Sequence, residues 1–195
     1  MENICVFGAG SRNADPVYYE EARALGRLIA QNGYGLVFGG GNSGLMGQVA
    51  RGAQECDAPA IIGIAPEFMN SKGVLFEQCS ELILTATMHE RKQAMEALAD
   101  AFVVLPGGVG TFEEFFEVLT LKSLGLHKKA IVLMNTNGFF DAAIGMIREA
   151  SEKCFVPEEA LSALEVASNP RQVIDCLDRY EYSEISPKWL QYKEE

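Results

Sequence analysis

The sequence is poor in basic residues and histidine, and no two cysteines have the close spacing of a metal or redox motif. It contains 16 Lys and Arg against 27 Asp and Glu, which gives a formal net charge of −11. This balance argues against a general nucleic-acid or anionic-membrane surface. The 5 cysteines are odd in number and widely spaced, so we expect reduced thiols. A small-molecule partner is therefore favoured over nucleic acid or a membrane.

Long apolar runs are also missing. No stretch approaches the roughly 18 residues of a membrane span, and no charged leader followed by an apolar core opens the chain. We therefore expect a cytoplasmic protein. A chain of 195 residues is within the usual size of one domain. We expect a single nucleotide-binding domain over residues 1–182 and an irregular C-terminal tail over residues 183–195.

Short apolar strands alternate with helical patterns along most of the chain. A strand at Asn3–Gly8 precedes a helix over Pro16–Gln31, with proline at its start and Gly33 beyond its end. The alternation continues with strands near 36–38, 60–64, 81–84, 101–105 and 130–134, and with helices near 45–56, 89–99, 111–123 and 139–150. This pattern predicts a Rossmann-like, doubly wound α/β fold, with a mainly parallel sheet and helices on both faces. Residues 66–78 lack periodicity, which predicts either a surface loop or a mobile flap.

Three glycine-rich turns follow predicted strands, at Gly8–Ser11, Gly39–Gly44 and Pro106–Thr111. Because the carboxyl ends of parallel strands share one edge of a sheet, we expect the three turns to converge on a nucleotide site. Each turn alone could be only a tight connection. The first turn has Asn13 where a dinucleotide motif needs its third glycine, and no Gly-Lys-Ser or Gly-Lys-Thr follows any turn. These departures disfavour NAD binding and a Walker loop.

The third turn leads into a helix whose first N–H groups and dipole favour an anion such as phosphate. Glu113 and Glu114 fall in the predicted first turn of that helix, where they either complement the dipole or perform chemistry. The polar segment Thr87–Met95 begins the preceding helix and faces the same edge. Within it, Arg91 is the residue that we expect to hold Glu114 and a ligand oxygen together. Neither a metal site nor a Ser-His-Asp arrangement is visible, so we expect no metal.

These motifs together resemble the Lonely Guy (LOG) family of cytokinin riboside 5'-monophosphate phosphoribohydrolases, formerly labelled lysine decarboxylases. The resemblance covers nearly the whole chain and rests on residues 39–47, 88–92, 106–114 (the PGGxGTxxE signature) and 124–128. It implies hydrolysis of the N-glycosidic bond of a purine nucleoside 5'-monophosphate, either an N6-modified adenine nucleotide or AMP. It also implies a homodimer with the site near the subunit interface, and no metal or organic cofactor.

By the same resemblance, Arg91 and Glu114 correspond to the catalytic pair, and Thr120 and Glu67 to nucleotide contacts. The phosphate-binding turn corresponds to Gly107, Gly108, Val109, Gly110 and Thr111. The remaining candidate substrate-binding residues are Gly10, Ser11, Gly40, Gly41, Gly44, Met46, Met88, Lys92 and Glu113.

The chain departs from the plant-like members at Val109, at Phe112 and at residues 120–123, where those members usually read PGGYGTLEE and TWxQLG. The pocket around the base therefore differs from theirs. A prenylated adenine, adenine itself and another base all remain open as the preferred group.

Two other functions remain as alternatives. A carrier of the same fold would bind a nucleotide or cofactor without turning it over, and the presence of both Arg91 and Glu114 argues against it. An amino-acid decarboxylase would need pyridoxal phosphate on a lysine, and neither Lys92 nor Lys72 lies in a context that favours this chemistry.

Overall fold

A computed structural model describes residues 1–156 and 163–182. The strands are β1 (Asn3–Phe7), β2 (Gly35–Phe38), β3 (Ile61–Pro66), β4 (Glu81–Thr85), β5 (Ala101–Val104), β6 (Ala130–Met134) and β7 (Glu165–Ala167). The described helices are α1 (Pro16–Gln31), α2 (Gly44–Glu55), α3 (Met88–Leu98), α4 (Val109–Ser123), α5 (Asp141–Glu152) and α6 (Pro170–Arg179), with 3₁₀ turns at Glu67–Met69 and Thr136–Gly138.

The strands form one sheet in the order β4-β3-β2-β1-β5-β6-β7, and every pair of neighbours is parallel. The order reverses between β1 and β5, which is where parallel sheets of this type open a crevice for ligands. Side chains alternate across the sheet, so Ile4 and Val6 pack with α1, α2 and α6, whereas Cys5 and Phe7 pack with α3, α4 and α5. The predicted doubly wound α/β fold is confirmed.

The predicted elements match the structure within about two residues at most ends. The sequence interpretation missed the final β-α unit, β7 and α6. The tail predicted over residues 183–195 lies outside the described residues. Within the described part of the chain, no helix is both long enough and apolar enough to cross a membrane.

The segment at residues 66–78 has two parts with different surroundings. Its first part contains the exposed 3₁₀ turn Glu67–Met69. Its second part is bonded to the glycine turn after β2: the Asn42 N–H donates to the Val74 carbonyl at 2.9 Å, and the Phe76 N–H donates to the Gly40 carbonyl at 2.8 Å. The Phe76 ring is buried against Phe38. The second part is therefore a fixed wall beside the sheet edge.

Candidate active site

The three glycine-rich turns meet at the carboxyl edge of the sheet, as predicted, and enclose a cavity of about 380 Å³. Its polar lining comes from the turns, α3 and α4, and its apolar lining from methionines and the 66–78 segment. The lining residues are Gly8, Ala9, Gly10, Ser11, Gly39, Gly41, Met46, Met69, Val74, Leu75, Met88, Arg91, Gly108, Gly110, Thr111, Glu113 and Glu114.

The first two turns are bonded to each other and to the third. The Ala9 N–H donates to the Pro106 carbonyl at 3.1 Å, and the Leu45 N–H at the start of α2 donates to the Ala9 carbonyl at 2.8 Å. Gly44 has φ +64°, and a Cβ there would lie 2.3 Å from the Ala9 carbonyl oxygen. The start of α2 is therefore closed by the protein's own backbone, whereas the start of α4 lines the cavity.

The start of α4 offers an anion site. The helix begins at Val109, and its first N–H groups have no acceptor within the helix. Gly108, Gly110 and Thr111 line the cavity here, so these groups and the Thr111 hydroxyl lie at its surface. Because α4 begins before Thr111, the first turn contains no acidic residue, and Glu113 and Glu114 fall in the second turn. Complementing the helix dipole is therefore a poor explanation of these two acids.

Arg91 and Glu114 form a buried ion pair at the floor of the cavity. Arg91 Nη1 donates to Glu114 Oε1 at 2.8 Å, and Arg91 Nε donates to the Ile64 carbonyl at 3.1 Å. The side chains are only 8% and 11% exposed. Gly39 lies against the guanidinium so closely that a Cβ would be 2.0 Å from Arg91 Nη2. β2, β3, α3 and α4 thus fix the predicted pair in one position.

Burial raises the pKa of Glu114, while the charge of Arg91 and its hydrogen bond lower it; the net pKa is above the usual value of 4.5. A carboxylate with a raised pKa is a better proton acceptor near neutral pH than a solvated one. Perturbed carboxyl groups in clefts are typical of catalytic sites.

Lys92, next to Arg91 on α3, is not among the residues that line the cavity. Its ammonium group forms an ion pair with Glu113 and a second with Glu117 at 2.7 Å, and its side chain is 10% exposed. Burial lowers the pKa of Lys92, but the hydrogen bonds to both carboxylates outweigh this effect and the net pKa is raised.

The cavity lining also contains residues that sequence reasoning did not select: Gly8, Ala9, Gly39, Met69, Val74 and Leu75. The Ile64 carbonyl, which accepts a hydrogen bond from Arg91, was not selected either. Gly8 and Gly39 stand in glycine turns that were recognised, so their positions were available as signals. The carbonyl and the apolar wall carry no sequence signal, since any residue supplies a carbonyl and residues 66–78 lack periodicity.

Several predicted site residues lie outside this cavity. Glu67 is exposed in the 3₁₀ turn, Thr120 is exposed in the fourth turn of α4, and Val109 is 86% exposed. Gly40 and Gly44 pack against β3 and the first turn, and Gly107 packs against Thr111. Their roles in binding remain predictions. Within residues 1–156 and 163–182, no three His, Cys, Asp or Glu side chains are arranged to hold a metal ion.

Residues 46–177 match a family model described as "Possible lysine decarboxylase". The chain is 36% identical over 180 residues to cytokinin riboside 5'-monophosphate phosphoribohydrolase LOG2 of Arabidopsis thaliana. The aligned region covers 92% of this chain and 84% of that protein. It is also 36% identical to cytokinin riboside 5'-monophosphate phosphoribohydrolase LOG of Oryza sativa subsp. japonica, with 92% and 74% coverage.

Among solved structures, the molybdenum cofactor binding protein of Rippkaea orientalis has a TM-score of 0.71 at 23% identity, covering 91% of this chain and 95% of that one. The molybdenum cofactor carrier protein of Chlamydomonas reinhardtii has a TM-score of 0.68 at 22% identity, with 91% and 96% coverage. At these identities the structural likeness supports the fold alone.

Proposed function

The chain belongs to the family described as possible lysine decarboxylase, and we propose that it is a phosphoribohydrolase acting on purine ribonucleoside 5'-monophosphates. It hydrolyses the N-glycosidic bond and releases the free base and ribose 5-phosphate. The observation that carries this proposal is the buried Arg91–Glu114 pair beside the open start of α4. The names of relatives at 36% identity support the same reaction.

The chemistry assigned to Glu114 follows from its position and ionisation. As the bond between C1' of ribose and the base nitrogen breaks, the base takes the electron pair and positive charge develops on the sugar. The Glu114 carboxylate stabilises that charge and accepts a proton from the water that attacks C1'. A proton then passes to the departing base nitrogen, which restores the carboxylate and gives the neutral free base. Arg91 holds the carboxylate in place through its 2.8 Å hydrogen bond, and its charge offsets part of the effect of burial on the pKa of Glu114.

The two ends of the cavity suit the two ends of a nucleotide. The start of α4 and the Thr111 hydroxyl suit the 5'-phosphate, which anchors the ribose beside Glu114. The apolar side, formed by Met46, Met69, Val74, Leu75 and Met88, suits a purine and an apolar substituent on it. We propose a purine, and specifically an adenine with or without an N6 group, as the base.

The two alternatives fit the site less well. A decarboxylase using pyridoxal phosphate needs a lysine at the reacting centre, and within the described residues no lysine lines the cavity. A carrier has no need for a buried carboxylate aligned by an arginine. We retain the carrier only as an outcome of the experiment below.

We also propose that the protein is a cytoplasmic homodimer. Several apolar side chains of the described residues are exposed, among them Leu126 after α4, Met146 on α5 and Phe155 after α5. Such residues could contribute apolar surface to a subunit contact. Light scattering at known protein concentration measures the mass: twice the 21.3 kDa of one chain supports the dimer, and 21.3 kDa contradicts it.

The reaction is tested by incubating the purified protein with AMP, N6-isopentenyl-AMP, GMP, CMP and adenosine, and separating free base by chromatography. We expect base release from the purine monophosphates and little from adenosine, because adenosine lacks the anchoring phosphate. Glu114→Gln removes the charge at nearly constant volume and should abolish release. Glu149→Gln, on the exposed face of α5, is the matched control and should keep activity.

Binding of nucleotides without base release would favour the carrier. Equal cleavage of adenosine and AMP would contradict the phosphate role of the α4 start. Full activity of Glu114→Gln would remove Glu114 from the mechanism.

A further inference from the structure

Lys92 was expected to bind substrate, but its contacts give it a different position. It follows Arg91 on α3, and successive helical side chains point about 100° apart. Arg91 therefore faces β3 and the cavity, whereas Lys92 faces α4. Lys92 is buried, and among the described residues it does not belong to the cavity lining.

The ammonium group of Lys92 joins α3 to two consecutive turns of α4. Its partners, Glu113 and Glu117, are four residues apart and thus lie on the same side of that helix. Arg91 and Glu114 join the same two helices one residue away along each of them. The two sets of ion pairs run side by side, so the Lys92 set limits both the distance between α3 and α4 and the rotation of α4.

Charge gives Lys92 a second effect on the catalytic carboxyl. Glu114 experiences the positive charges of Arg91 and Lys92 on α3 and the negative charge of Glu113 on α4. The Cys5 thiol on β1 also interacts with Glu114, and its burial raises the pKa of that thiol well above the usual value. Lys92 is a positive charge in this group, and it also offsets Glu113. Without it, Glu113 and Glu117 would lose the cation that they share, and the half-buried Glu96 would keep only the charge of Lys129 beside it.

We propose that Lys92 is a positioning residue: its ion pairs with Glu113 and Glu117 hold α3 and α4 in the register that aligns Arg91 with Glu114. This role rests on the proposed phosphoribohydrolase reaction. It differs from substrate binding in what the kinetics should report. A positioning residue affects mainly kcat and the ionisation of Glu114, whereas a substrate ligand affects mainly KM.

The test compares Lys92→Met, Lys92→Arg and Lys153→Met with the unmodified protein. The kinetics are measured with AMP and with the nucleotide that the unmodified protein cleaves fastest. For Lys92→Met we expect kcat to fall about tenfold or more, because small misalignments of reacting groups are costly, with KM within about twofold. We also expect the acidic limb of the kcat profile to move to higher pH, because the Glu114 carboxylate loses a nearby positive charge.

Lys92→Arg keeps the charge and the reach to both carboxylates, so it should restore most of kcat and return the acidic limb toward its original pH. Lys153→Met removes an exposed ion pair with Glu149 at the end of α5 and should change neither quantity. If Lys92→Met fails to fold, Glu117→Gln weakens the same contact from α4 without touching the cavity, and its kcat should fall in the same direction by a smaller factor.

A rise in KM at unchanged kcat, with the acidic limb in place, would show Lys92 to be a substrate ligand and would overturn the proposal. Unchanged kinetics in Lys92→Met would overturn it as well. In both cases the proposed function would still stand if the unmodified protein releases base and Glu114→Gln does not. Absence of base release by the unmodified protein would overturn the function and, with it, the role of Lys92.

Discussion

Gly39→Ala should disable the active site without damaging the fold. The Cβ of alanine would lie 2.0 Å from Arg91 Nη2, and ordinary contact begins near 3.4 Å, so the guanidinium must move by about 1.4 Å. Gly39 does not have a positive φ, so its backbone accepts alanine, and the clash falls on the end of a flexible side chain. Arg91 is also held by the Ile64 carbonyl, so it cannot move while keeping its 2.8 Å bond to Glu114.

Misplacement by about 1 Å at a reacting centre costs roughly 100-fold in rate, or about 2.7 kcal/mol of transition-state stabilisation. We therefore expect kcat/KM of Gly39→Ala on AMP to fall by about that factor, while its circular dichroism spectrum and melting temperature stay close to those of the unmodified protein. Free base released per unit time, measured by chromatography, gives the rate.

The matched control is Gly145→Ala on α5, where a Cβ would meet nothing within 4 Å, and it should keep full activity. Full activity of Gly39→Ala in a folded protein would refute the reasoning, because it would mean that catalysis does not need the guanidinium where the structure places it. Loss of activity together with loss of the fold would refute the claim that the clash is confined to Arg91.

Three further predictions concern ionisation and packing. Because burial raises the pKa of Glu114, we expect the full kcat at pH values above that raised pKa and a loss of kcat as the pH falls through it. An acidic limb of the kcat profile at or below pH 4.5 would contradict the assignment. Burial lowers the pKa of Lys122 from 10.5 to about 8. Between these two pH values the unfolded chain binds a proton that the folded chain has lost, so the free energy of unfolding should rise with pH. Measured relative to Lys122→Met, this rise should reach about 3 kcal/mol. Urea denaturation across this pH range measures that rise, and a flat or falling difference would be the wrong sign. Phe76→Ala removes a ring that is 1% exposed and should lower the free energy of unfolding by about 3–5 kcal/mol in the same assay; a loss below about 1 kcal/mol would mean that the wall beside Gly40 is not packed as described.

Most of the fold was predictable because its signals are local. Buried parallel strands are short and continuously apolar, and the helices repeat with a period near 3.6 residues. Glycine or proline lies at or just after the ends of β1, β2, β3 and β5. The last β-α unit was missed, although only its strand lacks a sequence signal. β7 has only three residues, too few for a pattern, and pairing with β6 defines it. α6 does carry a start signal, since the Asn169 side chain accepts a hydrogen bond from the Gln172 N–H at 3.0 Å and Pro170 follows it.

The site was predictable in its location and only partly in its contacts. The order of the parallel strands is enough to bring the three glycine turns to one edge of the sheet. A guanidinium and a carboxylate at that edge attract each other and form a strong hydrogen-bonded pair. Arg91 and Glu114 were selected on that basis, and the structure brings them together. The sequence analysis also placed Lys92 at the substrate, because both residues are cations in one charged run, and only the structure shows that Lys92 does not line the cavity.

The sequence by itself determined the alternation of strands and helices, the glycine turns that close the sheet edge, and the residue types available there for chemistry. The tertiary structure alone decided that Lys92 stays out of the cavity lining, that the Ile64 carbonyl and the close approach of Gly39 fix the Arg91 guanidinium, and that Val74 and Leu75 form the apolar wall. Such contacts depend on the rotation of α3 and α4 against the sheet and on long-range backbone bonds. Those bonds join residues that are far apart along the chain, so no local pattern encodes them.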